Sequence, residues 1–398
     1  MTQYSVFSAL ANAGVAVLDC EHKTPLPSAD GFPYIAIPDI KDSRVILEST
    51  RKISETDLNI WNRRTTPQAG DVIVTRRGRV GDTAPIPENS RCAIGQNLVL
   101  LRSDGSLVDQ GFLRWAVRSP QWWSEVERLM NVGAIFSSLN VRDIAQIRLN
   151  FPDRRTQQNI TEVLDALDDK IAANSKIAET LAEMASAQFD LRARDSMVSV
   201  PLRDLVTTQY GVTTSSHEGP GPQFLRVTDI NKKPWIEWAT APHCTVSESE
   251  LEKYKVAGGD ILVARMADPG KAAFVDGGDP EAVFASYLVR LRAINPEQAL
   301  FIYYFLRSGT YRSYAEGAMQ GSVQKNMNAK IIVATDISMP DLDVLKQFNN
   351  VVYKIRTNIQ SVLQENRKLV ATRDALLPQL MSGRLRVKDA ESIVAATV

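Results

Sequence analysis

The sequence predicts an α+β protein in which two similar mixed α/β domains are separated by two long helices that form an antiparallel coiled coil. Two observations support this fold class. Four landmarks recur in the same order about 189 residues later in the chain, and two segments carry apolar residues at alternating spacings of four and three. A chain of 398 residues is also long enough to bury at least two hydrophobic cores.

The internal repeat consists of four pairs of matching segments at a nearly constant offset. Asp229 follows Asp39 by 190 residues, and Asp341 follows Asp153 by 188. The composition of the first two pairs predicts strands entering turns, that of the third a helix, and that of the fourth a short strand ending in Pro-Asp. The matching segments are 32–40 with 222–230, 70–76 with 259–265, 112–119 with 301–308, and 147–153 with 336–341.

The two segments with alternating spacings predict long helices, because this alternation is the seam of a coiled coil. The first seam is Ile160, Leu164, Leu167, Ile171, Asn174, Ala178, Leu181 and Ala185. The second is Phe348, Val352, Ile355, Ile359, Val362, Asn366, Leu369, Arg373, Leu376 and Leu380. A helix of this length cannot pack only against its own domain, so we expect the two helices to pair with each other.

These signals predict five regions along the chain. They are a first globular domain over 1–153, a central helix over 154–195, a second globular domain over 196–341, a second helix over 342–384 and a tail over 385–398. We expect the central helix to run from about Thr156 to Arg192, and the second helix to begin between Leu342 and Phe348.

Composition excludes several classes of site and places the chain among cytoplasmic proteins. Lysine plus arginine and aspartate plus glutamate both number 46, so nucleic-acid binding must depend on local basic patches. Cys20, Cys92 and Cys244 form no Cys-x-x-Cys pair, and the three histidines lack spaced ligand partners, so no metal site is expected. No apolar run approaches the roughly 20 residues that span a bilayer, and the amino terminus lacks a signal sequence.

Both helical segments resemble those of a known family. The run 157–174 is similar to the central conserved helix of Type I restriction-modification specificity subunits. The run 376–387, which begins Leu376-Leu377-Pro378 and continues to Ser382-Gly383, resembles the carboxy-terminal ending of the same family. The second helix departs from the first in lacking its glutamine-rich start.

This resemblance implies a function without catalysis in the chain itself. Each globular domain would be a target-recognition domain that reads one half of a bipartite double-stranded DNA target, and the helix pair would set the spacer and dock two methyltransferase subunits. Restriction (translocase) subunits would join the complex for cleavage. No cofactor is expected in this chain: S-adenosylmethionine would bind in the methyltransferase partner, and ATP and magnesium in the restriction partner. The helix positions assigned to partner binding are Ile160, Leu164, Leu167, Ile171, Leu181, Val352, Ile355, Ile359, Val362 and Leu369.

Residues that suit DNA recognition recur at matching positions of the two domains. A glycine-containing basic loop follows the central strand of each repeat, and a cluster of amide, hydroxyl and basic side chains lies near the end of each domain. In the first domain these residues are Arg76, Arg77, Arg79, Ser137, Ser138, Asn140 and Arg142. In the second they are Arg265, Lys271, Gln320, Ser322, Gln324, Lys325 and Asn328. A solvated turn is the alternative for the loops, and ordinary polar loops for the clusters.

Two functions compete with DNA recognition: an enzyme that acts on DNA and a coiled-coil scaffold. A formal nuclease motif consists of Asp153 followed by Asp168 and Lys170, but its acid and lysine fall in a predicted helix, where a two-residue step turns side chains about 200° apart. Neither a glycine-rich cofactor turn nor the tetrapeptide of adenine methyltransferases occurs. A coiled-coil scaffold carrying two modules that do not bind DNA would explain the helices but not the paired polar clusters.

Overall fold

The structure is a computed structural model that describes residues 5–48, 50–132, 137–193, 197–319 and 326–397. The chain forms two compact units. Unit 1 comprises residues 1–171 and 368–398, and unit 2 comprises residues 172–367. Both divisions fall within the long helices, so the compact units differ from the predicted boundaries at 153/154 and 341/342. The reason is that each half of a long helix packs into the core of a globular domain.

Unit 1 contains thirteen named strands among its described residues. They are β1 (Ser5–Ala9), β2 (Val15–Asp19), β3 (Phe32–Ile35), β4 (Ile40–Lys41), β5 (Arg44–Val45), β6 (Arg51–Ile53), β7 (Val72–Thr75), β8 (Thr83–Pro85), β9 (Ala93–Ile94), β10 (Leu98–Ser103), β11 (Asn131–Val132), β12 (Ser137–Ser138) and β13 (Arg148–Pro152). Its helices are α1 (Glu55–Trp61), α2 (Gln110–Ala116), α3 (Pro120–Leu129), α4 (Val141–Gln146) and the first part of α5 (Arg154–Arg192).

Unit 2 repeats this plan. Its strands are β14 (Met197–Pro201), β15 (Val206–Tyr210), β16 (Ser216–His217), β17 (Gln223–Leu225), β18 (His243–Cys244), β19 (Ile261–Ala264), β20 (Ala272–Phe274), β21 (Ala282–Phe284), β22 (Leu288–Ala293) and β23 (Asp336–Pro340). Its helices are α6 (Val227–Ile230), α7 (Glu248–Tyr254), α8 (Ala299–Arg307), α9 (Gly309–Ala318), α10 (Ala329–Ile332) and most of α11 (Leu342–Met381). The last helix of the chain, α12 (Val387–Thr397), belongs to unit 1.

The predicted repeat is confirmed by sheet topology. The central sheet has the order β2-β10-β7-β8 in unit 1 and β15-β22-β19-β20 in unit 2. In both units a parallel pair, β3 with β9 or β17 with β21, lies in a second sheet, and the first strand of the unit pairs with its last. β7 and β19 are buried along their whole length, which explains their continuous apolar sequences.

The core of each unit includes half of both long helices. In unit 1, Ile160 and Leu164 of α5 share a buried cluster with Leu376 of α11. In unit 2, Ala178 and Ala185 share one with Val352 and other seam residues of α11. Most of the predicted seam positions are fully buried and the rest are partly buried, which confirms the spacing argument.

The two helices run antiparallel. In unit 2, Asn174 donates a hydrogen bond from Nδ2 to Glu365 Oε2 at 3.0 Å. Further along α5, Ser186 lines the same cavity as Arg356 and Ile359, which precede Glu365 on α11. Residue numbers therefore rise along one helix as they fall along the other.

The Pro-Asp step that closes each repeat caps the following helix. Asp153 accepts a hydrogen bond from Thr156 N at 3.0 Å, and Asp341 accepts one from Val344 N at 2.8 Å. Both carboxylates satisfy backbone donors at a helix start and complement its positive end. The first helix consequently begins at Arg154, two residues before the predicted start, and the second begins at Leu342.

The predicted tail is largely helical. Gly383, with a φ of +70°, follows α11 and lets the chain turn. In α12, Ala390 is fully buried, and Val387 and Val394 pack against the core of unit 1. The sequence interpretation missed this helix because its apolar positions are few.

Candidate DNA interface

The basic loop and the polar cluster predicted in the first domain lie together in unit 1. Leu139 N donates to the Arg76 carbonyl at 2.9 Å, and Arg76 N donates to the Asn97 carbonyl at 2.8 Å. Arg77 and Ser138 are joined by an antiparallel bridge. Residues separated by about 60 positions in the sequence are thus held on one surface by backbone hydrogen bonds.

The same arrangement recurs in unit 2. Met327 N donates to the Arg265 carbonyl at 2.9 Å, and Arg265 N donates to the Tyr287 carbonyl at 3.0 Å. Because these bonds are backbone bonds at matching positions, the juxtaposition is a property of the repeated fold. The predicted contacts Gln320, Ser322, Gln324 and Lys325 lie outside the described residues.

The predicted contact residues differ in the exposure of their side chains. Arg77, Arg142 and Lys271 are exposed, whereas Ser137, Ser138, Arg76 and Arg265 are partly buried. Asn140 and Asn328 are exposed but also occupy the N-cap positions of α4 and α10. Asn328 Oδ1 accepts from Ile331 N at 3.0 Å, and Asn140 Nδ2 donates to Asp143 at 2.8 Å.

Arg79 has a structural role in its own unit. Its guanidinium donates to the carbonyls of Ile37 and Ile40, and its Nε lies 3.3 Å from Asp82 Oδ2. The side chain therefore fastens the turn after β7 to the segment between β3 and β4. Spacing in the sequence gave no sign of these partners, because they lie about 40 residues away.

The glycines of the two loops serve helix packing. A Cβ on Gly81, whose φ is +89°, would lie 2.9 Å from Val126 Cγ1 of α3. A Cβ on Gly270, whose φ is +87°, would lie 3.1 Å from Ala315 Cβ of α9. A side chain at either position would therefore crowd the helix against which the loop packs, and glycine also suits the positive φ.

A matched pair of ion pairs supports the central strands of both units. Asp71 is buried and accepts from Arg102 Nε at 2.7 Å and Nη2 at 2.6 Å. At the equivalent position of unit 2, Asp260 accepts from Arg292 Nε at 2.6 Å and Nη2 at 2.8 Å. Each bidentate bridge lies at the start of the central strand, which leads into the basic loop, and fixes that end of the strand. The repeated Gly-Asp dipeptide was their only signal in the sequence.

Asp168, part of the rejected nuclease motif, is the centre of a buried charge cluster in unit 1. Its side chain lies 2.6 Å from Arg373, 3.3 Å from Arg114 and 3.5 Å from Arg118. Burial alone would favour the protonated acid, but the hydrogen bond from Arg373 and the nearby guanidinium charges hold the pKa of Asp168 below its ordinary value. Burial lowers the pKa of Arg118 to about 10. Asp168 is thus a structural anion on a helix, as the periodicity predicted for its segment.

The ten helix positions assigned to partner binding face the interior of their own units. Seven are buried and three are partly buried within the cores: Ile160, Leu164, Leu167, Val352, Ile355, Ile359 and Leu369, and then Ile171, Leu181 and Val362. The pairing of the helices thus covers most of the surface of these side chains, and their role in partner binding stays a prediction.

A different face of α5 exposes apolar side chains in unit 2. Ile177, Met184 and Leu191 are 47%, 51% and 51% exposed and stand seven residues apart. Residues at this spacing lie on nearly one line along a helix. We call Ile177, Met184 and Leu191 the apolar stripe.

Among the described residues, one group could offer metal ligands. The ligand atoms of Asp19, Cys20 and His22 lie within 4.8 Å of one another. Burial raises the pKa of the Cys20 thiol to about 11, and its Sγ donates to the Gly95 carbonyl. Arg76 Nη1 also lies 3.7 Å from Asp19. A protonated thiol and an adjacent cation make this donor set a poor fit for a metal ion.

Within the part of the chain that the structure describes, no helix combines the length and the apolar character needed to span a bilayer.

Comparisons with known proteins agree with this architecture. The family described as "Type I restriction modification DNA specificity domain" matches residues 22–183 and again 205–365. The chain is 21% identical over 332 residues to the Type I restriction enzyme HindI specificity subunit of Haemophilus influenzae, covering 63% of this chain and 72% of that protein.

A solved structure shows the same fold. The Type I restriction-modification S subunit of M. genitalium superposes with a TM-score of 0.58 at 13% identity, over 95% of this chain and 96% of that one. The HsdS subunit of Thermoanaerobacter tengcongensis aligns with 96% of this chain and 97% of its own, at 16% identity and a TM-score of 0.38. Because the family match covers both repeats, this chain belongs to the family of Type I restriction-modification DNA specificity subunits.

Proposed function

We propose that the chain is the sequence-specific DNA-binding subunit of a Type I restriction-modification complex and that each unit reads one half of a bipartite target. The observation that carries this proposal is the repeated interface. In both units a basic loop after the central strand is hydrogen bonded to a polar segment that precedes a short helix. Loops held on a rigid sheet are suited to recognition, since their side chains are positioned before the ligand arrives.

The exposed side chains of this interface suit duplex DNA. Arg77 and Arg142 in unit 1 and Lys271 in unit 2 supply local positive charge, although the net charge of the chain is zero. Such cations neutralise phosphates and fix the register, while arginine and amide groups read base edges in the major groove. A chain with no net charge needs such local positive charge in order to bind DNA.

The long helices would set the distance between the two half-sites. Their seam is apolar apart from the Asn174, Asn366 and Arg373 positions, so their pairing is fixed in register. A fixed pair of helices would make the DNA spacer a consequence of helix length. The mechanism predicts a split target with a constant gap.

Catalysis would belong to partner subunits. In this proposal two methyltransferase subunits dock on the helices, bind S-adenosylmethionine and flip an adenine out of each half-site. Restriction subunits, which use ATP and magnesium, complete the complex in the cytoplasm. The chain itself contributes no catalytic residue and no cofactor, and Asp153 and Asp168 serve as helix cap and buried counter-ion.

The apolar stripe is the surface that we assign to methyltransferase docking. Its three side chains lie on α5 and point away from the buried seam. Exposed apolar side chains in one line are suited to a further helix. This assignment replaces the seam positions that the helix pairing buries.

The proposal is tested by selecting DNA from a random duplex library with the full chain in complex with its methyltransferase partner. Sequencing of the bound fraction is expected to yield a motif in two parts with a constant gap. A bound fraction without an enriched motif would contradict the proposal and support the scaffold alternative. The same library exposed to the methyltransferase alone provides the control for binding by the partner.

A further inference from the structure

One position beside the basic loop carries an acid in unit 1 and a tyrosine in unit 2. Asp19 ends β2 opposite Val99, and Tyr210 ends β15 opposite Val289. Because these strands occupy the same place in the two central sheets, Asp19 and Tyr210 are equivalent positions. Each lies beside the arginine that follows the central strand, Arg76 in unit 1 or Arg265 in unit 2.

In unit 1 this arginine is compensated within the protein. Arg76 Nη1 lies 3.7 Å from Asp19 Oδ1. Its Nε donates to the Leu139 carbonyl at 3.2 Å. The positive charge therefore has a carboxylate beside it, and the planar group already has an acceptor. A ligand would have to compete with both.

In unit 2 no described carboxylate forms an ion pair with the equivalent arginine, Arg265. Arg265 Cζ lies 5.0 Å from the centre of the Tyr210 ring. The Tyr210 hydroxyl accepts a hydrogen bond from Ala329 N at 2.9 Å, which fixes the ring. Arg265 Nε is buried and has no hydrogen-bond acceptor among the residues that the structure describes. A tyrosine face orients a guanidinium by stacking but does not neutralise it.

The backbone on either side of Arg265 is fixed as well. Its N–H and its carbonyl are both hydrogen bonded, to Tyr287 and Met327. The neighbouring acid, Asp268, accepts instead from Asn231 Nδ2 at 3.2 Å. A guanidinium that is oriented by a ring and has no ion-pair partner among the described residues is costly in isolation. Because Arg265 is only partly buried, the end of its side chain is available to an external acceptor.

We propose that Arg265 reads a guanine in the half-site bound by unit 2, whereas Arg76 holds its loop in place through Asp19. This inference rests on the proposed function. Guanine presents O6 and N7 as a pair of acceptors that a planar guanidinium meets with two hydrogen bonds. A phosphate would need only a point charge, which the exposed Lys271 already supplies. The equivalent arginines of the two units therefore differ in role: Arg265 reads a base, and Arg76 supports its loop.

The test compares variants of the full chain, in complex with the methyltransferase partner, by selection from the random duplex library. Arg265→Lys retains the charge but not the planar pair of donors. Tyr210→Asp gives unit 2 the carboxylate of unit 1. Both are expected to reduce the preference for guanine at one position of one half-site by roughly tenfold or more, with the other positions unchanged.

A control variant separates recognition from folding. Arg203→Gln changes another arginine of unit 2, whose side chain is 68% exposed, and is expected to leave the motif unchanged. Replacing the selected guanine by 7-deazaguanine removes N7, so it should weaken binding by the unaltered chain but not by the Arg265→Lys variant.

The outcomes distinguish this inference from the proposed function. If the unaltered chain selects no motif, the proposed function fails and the inference fails with it. If a motif is selected but Arg265→Lys leaves it intact, the inference alone is overturned. If Arg265→Lys weakens binding equally at all sequences, Arg265 contacts phosphate, which also overturns it. Should Tyr210→Asp prevent folding, Arg265→Lys with the 7-deazaguanine duplex decides the question.

Discussion

At the scale of single residues, buried charges hold the helices to the domains. Asp168 lies on α5 and is met by Arg114 and Arg118, which flank the end of α2, and by Arg373 on α11. One carboxylate therefore ties three segments that are far apart in the sequence. Arg114 and Arg373 also pair with Asp165 and Asp374. Among the described residues, Arg118 has its ion pair with Asp168 alone.

Replacing Asp168 by asparagine is expected to destabilise unit 1. The change keeps the size of the side chain but removes the carboxylate that pairs with Arg118 and Arg373. Breaking a buried ion pair in this way costs about 3–5 kcal/mol. The measurement is urea-induced unfolding followed by tryptophan fluorescence. The matched control is Asp169→Asn, because Asp169 is the exposed neighbour on the same helix. Equal effects of the two variants would contradict the role assigned to Asp168.

A second, partly buried acid makes the stability of unit 2 depend on pH. Burial is the main cause that raises the pKa of Asp279 from 3.8 to about 6. The charge of Asp276 acts in the same direction, and a hydrogen bond from the Asp276 backbone opposes it. The folded state thus prefers the protonated acid. Its stabilising contribution is fully present below the ordinary pKa of the group and is lost as pH rises through about 6.

The Asp279→Asn variant is expected to lack this dependence. Asparagine cannot ionise, so the free energy of unfolding of the unaltered chain should fall relative to that of the variant as pH rises from about 4 to about 7. Urea midpoints of both proteins across this range provide the measurement. A constant difference between the two curves would show that Asp279 does not titrate near pH 6.

At the scale of elements, the helix pair combines a buried apolar seam with a polar position at Asn174. Its amide meets Glu365 of the other helix, so neither helix can slip without leaving a buried polar group unpaired. The pairing also shows that an insertion into one helix alone would shift its seam against the partner. A change of length must therefore be made in both.

Inserting seven residues after Asn174 and seven at the matching point of α11, before Glu365, should change the gap in the DNA target. One heptad preserves the seam, so both half-sites are expected to stay the same while the spacer changes. Selection from the duplex library gives spacer and half-sites in one measurement. If the half-site sequences changed instead, the helices would not act as a ruler.

The apolar stripe provides a separate prediction for assembly. Changing Met184 at its centre to glutamate places a charge among exposed apolar side chains, so we expect recovery of the methyltransferase subunit with the chain to fall about tenfold or more. Lys176→Glu alters the charge of an exposed residue on the same helix outside the stripe and serves as the control. Unchanged co-purification of the Met184→Glu variant would place docking elsewhere.

At the scale of the whole molecule, the sequence alone predicted the repeat, the two helices and their seam. These features depend on local periodicity and on self-similarity, which are visible along the chain. The sequence also predicted a basic loop and a polar cluster in each domain. Their contact, as between Arg76 and Leu139, became visible only in the fold.

What the sequence could not predict depends on side chains that meet across long separations. Arg79 binds carbonyls about 40 residues away, and Asp168 meets Arg373 across 205 residues. No spacing rule connects such positions. The same holds for the seam, since periodicity shows which face of a helix is apolar but not what covers it.

Exchange of residues 1–152 for the equivalent domain of a relative tests the central claim most directly. The chimaera is selected against the random duplex library in complex with its methyltransferase partner, beside the unaltered chain. Because each unit reads its own half of the target, we expect one half-site to change while the other half-site keeps its sequence. A change in both half-sites, or in neither, would contradict the claim that the two repeated domains recognise DNA independently.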